Sequence, residues 1–317
     1  MKLSVIISTL NRKQHVYKLI ENISIQSYKP DEIFILEQGS SDFSENDLPD
    51  NIRELTKLVK VDYKSLARAR YDGLLLSSGE IVFFLDDDIE LRNNYFEVAV
   101  SFMKANKHCA GIGGGYINKP YQEKSKFKTA IGRTLGIYGS GNRNRILLSG
   151  WGDYVRGENR KVITKADWLF GCNMVYRRKV LFEIDFPVEF RQWSFCEDLY
   201  IGCEITNNKL GDMFILPELS VIHDANQSSG SASDIVLRMR ILYRYVVWRK
   251  IFNVKRNIPK YYCFLRFMLG MFANFMLDFR KYRLDLLCSE YYNALKFLYI
   301  NENLTLEEIN NYVYKKN

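Results

Sequence analysis

The chain has 317 residues, 47% of them hydrophobic, and a formal net charge of +8 at pH 7. That is ample for a buried core, and the length allows one large domain or a domain with an appendage. Six cysteines without a CxxC pair, and only three histidines, argue against a classical zinc site and favour reduced, mostly buried thiols, as in the cytoplasm.

The first apolar run, Leu3–Leu10, is too short for a secretory signal and leads straight into a polar segment. It is rich in β-branched residues, as expected of a strand buried on both faces. A helix capped by Asn11 and running to about Ser27 is expected next, with Pro30 beyond its end. DEIFILEQGSSD (31–42) reads as a second strand ending in a polar turn, and a short strand follows near Leu58–Val61. A helix at about Ser65–Ser77 ends at Gly79, and IVFFLDDD (81–88) is another buried strand. This alternation predicts an α/β domain with a parallel sheet. Ligands of such sheets bind outside the carboxyl ends of the strands. Ser8, Thr9, Glu37, Gln38 and the three aspartates should therefore lie along one edge.

A helix at about 93–106 and a strand in CAGIGGGYI (109–117) come next. GIGGGY lacks the GK[ST] ending of a phosphate loop and reads as close backbone packing. Residues 117–165 are loop-rich and basic, with 11 Lys/Arg against 3 Asp/Glu, and fit a flexible lid or a variable surface loop. A helix begins near Glu197. NQSSGSASD (226–234) is the clearest composition boundary, with a helical, basic and aromatic region after it.

Three groups carry the chemistry. Asp86, Asp87 and Asp88 follow five apolar residues. On a strand, Asp86 and Asp88 project to the same side, where a divalent cation could offset them and bridge to phosphate. The alternative is a solvated acidic turn. His223 could be a further ligand or a structural residue. Glu197 and Asp198 could serve a helix dipole or supply a general base. Lys64, Arg68 and Arg70, ahead of the aspartates, could face solvent or phosphate.

VIISTLNR (5–12), ILEQGSSD (35–42), LARARYDGLLLSSGEIVFFLDDDIEL (66–91), FGCNMVYRRKVL (170–181) and FCEDLY (195–200), in that order, resemble the motifs of the inverting glycosyltransferases of family 2. The likeness spans about Lys2 to Ala225 and points to the bacterial surface-polysaccharide type. It implies a GT-A fold: Rossmann-like, with a mostly parallel sheet flanked by helices, and here a C-terminal helical, basic-aromatic extension. The expected division is a catalytic domain over 1–230, with a nucleotide-sugar half to about 116 and an acceptor half after it, then an extension over 231–317. The resemblance places Ser8, Thr9 and Gln38 at the nucleobase and Glu37 at the ribose. Arg70 would approach base or phosphate. Asp86 and Asp87 would contact the donor. Asp86, Asp88 and His223 would hold Mn²⁺ or Mg²⁺, and Asp198 would be the catalytic base. Glu37-Gln38 stand where the family often has Asp-Asp. A glutamine amide oxygen can still accept from a uracil or thymine N3–H, so UDP- or dTDP-sugars are the expected donors. Tyr71 replaces an Asn common after the Arg.

Residues 231–317 carry 15 Lys/Arg and 7 Asp/Glu, and Ile235–Leu277 holds nine basic residues and no acidic one. Cations mixed with aromatics predict peripheral attachment to a membrane surface rather than nucleic-acid binding. The alternative is a packed helical subdomain with a basic face. Tyr261–Leu277 is too short and too charged to span. The expected setting is the cytoplasmic face of the inner membrane, with a saccharide acceptor carried on polyprenyl diphosphate. A sugar-nucleotide nucleotidyltransferase would need a glycine-rich triphosphate loop after the first strand, and STLNRKQH does not resemble one. A non-catalytic carbohydrate- or nucleic-acid-binding protein would have no use for intact DDD and ED motifs.

Overall fold

The computed structural model describes residues 1–40, 43–117, 126–223, 233–254, 258–279, 281–301 and 304–315. The strands are β1 Leu3–Thr9, β2 Glu32–Glu37, β3 Thr56–Lys60, β4 Ile81–Asp86, β5 Ile89–Glu90, β6 Cys109–Gly113, β7 Arg145–Ile146, β8 Gly152–Asp153, β9 Thr164–Ala166, β10 Asn173–Arg177, β11 Asp212–Ile215 and β12 Ile222–His223. The helices are α1 Lys13–Ser24, α2 Asp50–Arg53, α3 Leu66–Leu76, α4 Tyr95–Ala105, α5 Lys126–Thr134, α6 Arg178–Leu181, α7 Glu197–Asn207, α8 Asp234–Val254, α9 Lys260–Asp278, α10 Leu284–Ile300 and α11 Leu306–Val313.

The central sheet has eight strands in the order β3-β2-β1-β4-β10-β6-β11-β9. β3, β2, β1 and β4 are parallel, while β10 runs antiparallel to both β4 and β6. Continuous apolar runs form the centre because both faces are covered: all seven residues of β1 are buried. β1 and β4 align Ser8 with Asp86, and β1 and β2 align Thr9 with Glu37. The polar residues that end these strands are thus neighbours at one sheet edge.

Two local expectations change. β4 stops at Asp86, so Asp87 and Asp88 lie in a turn and not on the strand. α1 starts at Lys13, and Asn11 does not cap it. Asn11 sits at φ 55°, in the left-handed region that Asn tolerates, and its side-chain oxygen accepts from the Ser40 backbone N–H at 2.9 Å. The GIGGGY glycines do serve close packing. A Cβ at Gly111 would strike the Tyr176 ring, and one at Gly114 would strike the backbone of Leu219.

The composition boundary at 226–234 falls almost wholly outside the described residues. Beyond it, α8 packs against α7, α10 and α11 and is buried along most of its length. Its cations point inward, which corrects the expectation of a membrane-facing basic cluster on this helix. Arg238 forms a two-pronged pair with Glu290 (2.6 and 2.9 Å), both residues buried. Arg240 pairs with the buried Asp278. Lys250 reaches Glu204 at 3.0 Å and Asp185 at 3.2 Å. Arg244 lies 4.0 Å over the Trp151 ring and donates to the Gly150 carbonyl. All these partners lie outside α8, so a local charge count cannot see them. Among the described residues no helix is long and apolar enough to cross a membrane.

Candidate active site

The β1 and β2 ends are tied by polar contacts within the chain. Glu37 is fully buried, and one carboxylate oxygen accepts from the backbone N–H groups of Asn11 (3.1 Å) and Gly39 (2.9 Å). It therefore shapes the turn where a ribose contact was expected. Gln38 uses its amide oxygen on the Ser65 N–H at 2.6 Å, so the oxygen expected to read a base is already engaged. Thr9 is buried and donates to Asp87 at 2.6 Å. Ser8 differs: its hydroxyl is buried with no hydrogen-bond partner among the described residues. A buried orphan hydroxyl at the ligand edge of a sheet is suited to a bound group. Ser41 and Asp42, which end the ILEQGSSD motif, lie outside the described residues.

The aspartate turn is organised by Arg12, which the sequence reading did not single out. Its guanidinium donates to Asp87 at 2.6 Å and to Asp88 at 3.0 Å. Asp87 is buried, which raises its pKa to about 7 against the opposing pull of Thr9 and Arg12. Burial also disfavours ionised Asp88, but the hydrogen bonds from His223 and Arg12 more than offset it, and its pKa is lowered. β12 pairs with β5 so that His223 faces Ile89, beside Asp88. His223 Nε2 lies 3.1 Å from Asp88 Oδ1. Ligand atoms of Asp86, Asp88 and His223 all lie within 4.8 Å of one another.

Arg70 joins this turn to the ED pair. It is 2% exposed. One nitrogen donates to Asp86 at 2.7 Å and to the Gly171 carbonyl at 2.6 Å; the other donates to Glu197 at 3.1 Å. Where an approach to base or phosphate was expected, the Arg70 charge faces the buried Glu197 and the half-buried Asp86. Burial raises the Glu197 pKa to about 7, with Arg70 opposing. Asp198 follows at the start of α7, entered through Cys196 at φ 70°. The Leu199 N–H donates to Asp198 Oδ1 at 2.8 Å, and burial raises the Asp198 pKa.

A family model described as Glycosyl transferase family 2 matches residues 4–184. The chain belongs to glycosyl transferase family 2. It is 33% identical over 117 residues to a Campylobacter jejuni GalNAc(5)-diNAcBac-PP-undecaprenol beta-1,3-glucosyltransferase, a match covering 36% of this chain and 37% of that protein. It is 32% identical over 114 residues to an uncharacterized glycosyltransferase of Rickettsia felis, covering 33% of this chain and 18% of that one. The chain thus matches well under half the length of these curated relatives. Among solved structures, S. aureus TarS 1–349 in complex with UDP-GlcNAc superposes with a TM-score of 0.58 at 16% identity, covering 93% of this chain and 80% of that one. The mannosyltransferase PcManGT from Pyrobaculum calidifontis, in complex with GDP-Man and Mn²⁺, gives 0.52 at 16% identity, covering 96% and 77%. At such identities the likeness shows the GT-A fold.

In this family member the Asp-Asp-His trio fits a divalent cation. Two carboxylates and one imidazole are a donor set that suits a divalent cation such as Mn²⁺ or Mg²⁺. An aromatic wall stands beside it. Tyr116 stacks on His223 (5.2 Å between centroids) and meets Phe170 at 5.1 Å, and Tyr154 and Trp168 continue it around Phe170. Only the bulk of these residues is visible in sequence, since three separate segments supply them. Of the expected lid, 118–125 lies outside the described residues, and the remainder forms α5, β7, β8, β9 and short turns.

Arg12→Met tests the turn. The variant strands a buried Asp87 carboxylate, and an expected loss of about 1–3 kcal/mol follows from an unsatisfied buried group. Folded Asp87 holds its proton up to about pH 7, whereas the unfolded chain releases it near pH 4. Stability from this group therefore falls as pH rises between those values. Without Arg12 the penalty on the charged form grows, so urea unfolding should show a larger deficit at pH 8 than at pH 6.

Proposed function

We propose that this chain is a metal-dependent, inverting glycosyltransferase that moves a sugar from a UDP- or dTDP-sugar to a hydroxyl of a saccharide acceptor. One observation carries the reading: the Arg70 guanidinium holds Asp86, a member of the Asp-Asp-His trio, to Glu197, beside Asp198. Donor-side and acceptor-side chemistry thus share one rigid frame. In this reading Asp86, Asp88 and His223 would hold Mn²⁺ or Mg²⁺, which would neutralise the charge of the departing diphosphate. Ser8 offers its hydroxyl to the nucleotide, and Gln38 offers its amide nitrogen to the base. Thr9, Glu37 and Asp87 shape the donor site from behind, through the hydrogen bonds described above.

Asp198 takes the proton from the acceptor hydroxyl as that oxygen attacks the anomeric carbon, opposite the departing nucleotide diphosphate. One displacement inverts the anomeric configuration. The Leu199 N–H fixes the carboxylate, and burial makes it a stronger base than a solvated Asp. We further take 1–230 as the catalytic unit, with donor and acceptor halves meeting near 116, and 231–317 as its helical extension. We take the acceptor to be carried on polyprenyl diphosphate, in surface polysaccharide assembly at the cytoplasmic membrane face; the names of two relatives support a polyprenyl phosphate or diphosphate carrier. One is the undecaprenol-linked enzyme above. The other is a glucosyl-dolichyl phosphate glucuronosyltransferase of Haloferax volcanii, 24% identical over 132 residues.

Thermal melting with UDP, dTDP, GDP and CMP, each with and without Mn²⁺, tests the donor site. A site saturated a hundredfold above its Kd is stabilised by about 2.7 kcal/mol, a rise of several degrees. That rise is expected with UDP or dTDP and only when Mn²⁺ is present. No shift with any nucleotide would overturn the reading.

A further inference from the structure

We propose that the outward face of α9, with the neighbouring α5, is a docking surface for an anionic lipid bilayer. α9 is apolar on both of its faces. Its buried face includes the polar Asn274 and Asp278 beside Cys263, Phe267 and Gly270. Its outward side carries Tyr261, Leu265, Phe272 and Met276, with Phe279 just past its end, at spacings of four, seven, four and three residues that keep them on one side of the helix. Tyr261 is 77% exposed, and Leu265, Phe272, Met276 and Phe279 are each 50–55% exposed. α5 repeats the pattern, with Phe127 74% and Ile131 43% exposed. An apolar stripe of this length, left in water beside a buried Asp and Asn, marks an interaction surface.

Charge selects the occupant. α5 has no acidic residue, and the one acid of α9, Asp278, is buried against Arg240. Lys128, Arg133, Lys260 and Lys281 are exposed on or next to these helices. A second copy would set like-charged rims against each other, whereas anionic headgroups complement the cations while the acyl boundary takes the apolar side chains. α9 lies on such a surface rather than crossing it.

The face is also coupled to the site. Arg266 of α9 donates to the Thr134 (2.6 Å) and Arg133 (3.0 Å) carbonyls and locks α5 in place. Gly270 admits the Trp151 ring, whose chain leads to Tyr154 in the aromatic wall. Docking would bring a lipid-carried acceptor to the wall from the bilayer side. That consequence rests on the proposed function; the docking itself does not.

Flotation of the full chain with phosphatidylcholine vesicles, with and without phosphatidylglycerol, tests the surface. Binding is expected only with phosphatidylglycerol and should weaken at high salt. The double variant Leu265→Glu/Phe272→Glu should lower the bound fraction about tenfold, while its melting temperature and its nucleotide-dependent shift match the parent. Failure to float with anionic vesicles overturns the proposal. So does a dimer in light scattering that the double variant splits, which would assign the face to a second copy. Because the nucleotide shift is read separately, failure of docking and failure of the transferase reading remain distinct.

Discussion

Asp198→Asn is expected to lower kcat by about a hundred- to ten-thousand-fold, the contribution of a positioned general base. The amide is nearly isosteric and can still accept from the Leu199 N–H, so local structure should persist. It cannot take a proton from the acceptor. Donor binding should be unchanged, so the nucleotide-dependent melting shift serves as the internal control. The pH profile of the parent adds a second readout. Burial raises the Asp198 pKa, and the base acts only when deprotonated. Turnover should therefore fall as pH drops through a value above the ordinary Asp range, and the acidic limb of kcat should sit above that range. Unchanged transfer by Asp198→Asn would reject the assignment.

Arg70→Met is expected to destabilise the fold by about 3–5 kcal/mol, the usual result of removing one member of a buried ion pair. The variant keeps the unbranched stem of the side chain but leaves Asp86 and Glu197 facing each other without a cation, and the Gly171 carbonyl without its donor. The two carboxylates are then disfavoured in their charged forms. Protonation relieves the strain, so the deficit should be larger at pH 8 than at pH 6, read from urea unfolding midpoints. Lys at the same position could satisfy one carboxylate but not the forked geometry, and should recover only part of the loss. A variant as stable as the parent would show that the clamp is not what holds the two halves of the site together.

Much of the core domain is legible from local pattern. β1, β2 and β4 are apolar runs ending in polar residues, and a strand buried on both faces cannot be written otherwise. Their parallel pairing then sets Ser8 beside Asp86 and Thr9 beside Glu37. The candidate site is only partly legible. The residue types and their order are in the sequence; which groups face a ligand and which face one another is not. Thr9, Glu37, Asp87 and Arg70 were all expected at the donor, yet each is tied to backbone or side chains of the chain itself. Arg12 closes the VIISTLNR motif but was given no role, because that role comes from a guanidinium reaching across to a turn 75 residues away.

By itself the sequence determined the hydrophobic periods, and with them the strands, the helices and the acidic turn at a sheet edge. Tertiary structure alone decided three further matters. Pairing of β12 with β5 brought His223 to Asp88. Distant carboxylates, and for Arg244 the Trp151 ring and the Gly150 carbonyl, drew these α8 cations inward. The packing of α9 on Trp151 through Gly270, with Asp278 buried against Arg240, left its aromatic stripe facing out. The physical reason is common to all three. Spacing along a chain shows which side chains share a face, but the sign and polarity of what covers that face come from segments far away in sequence.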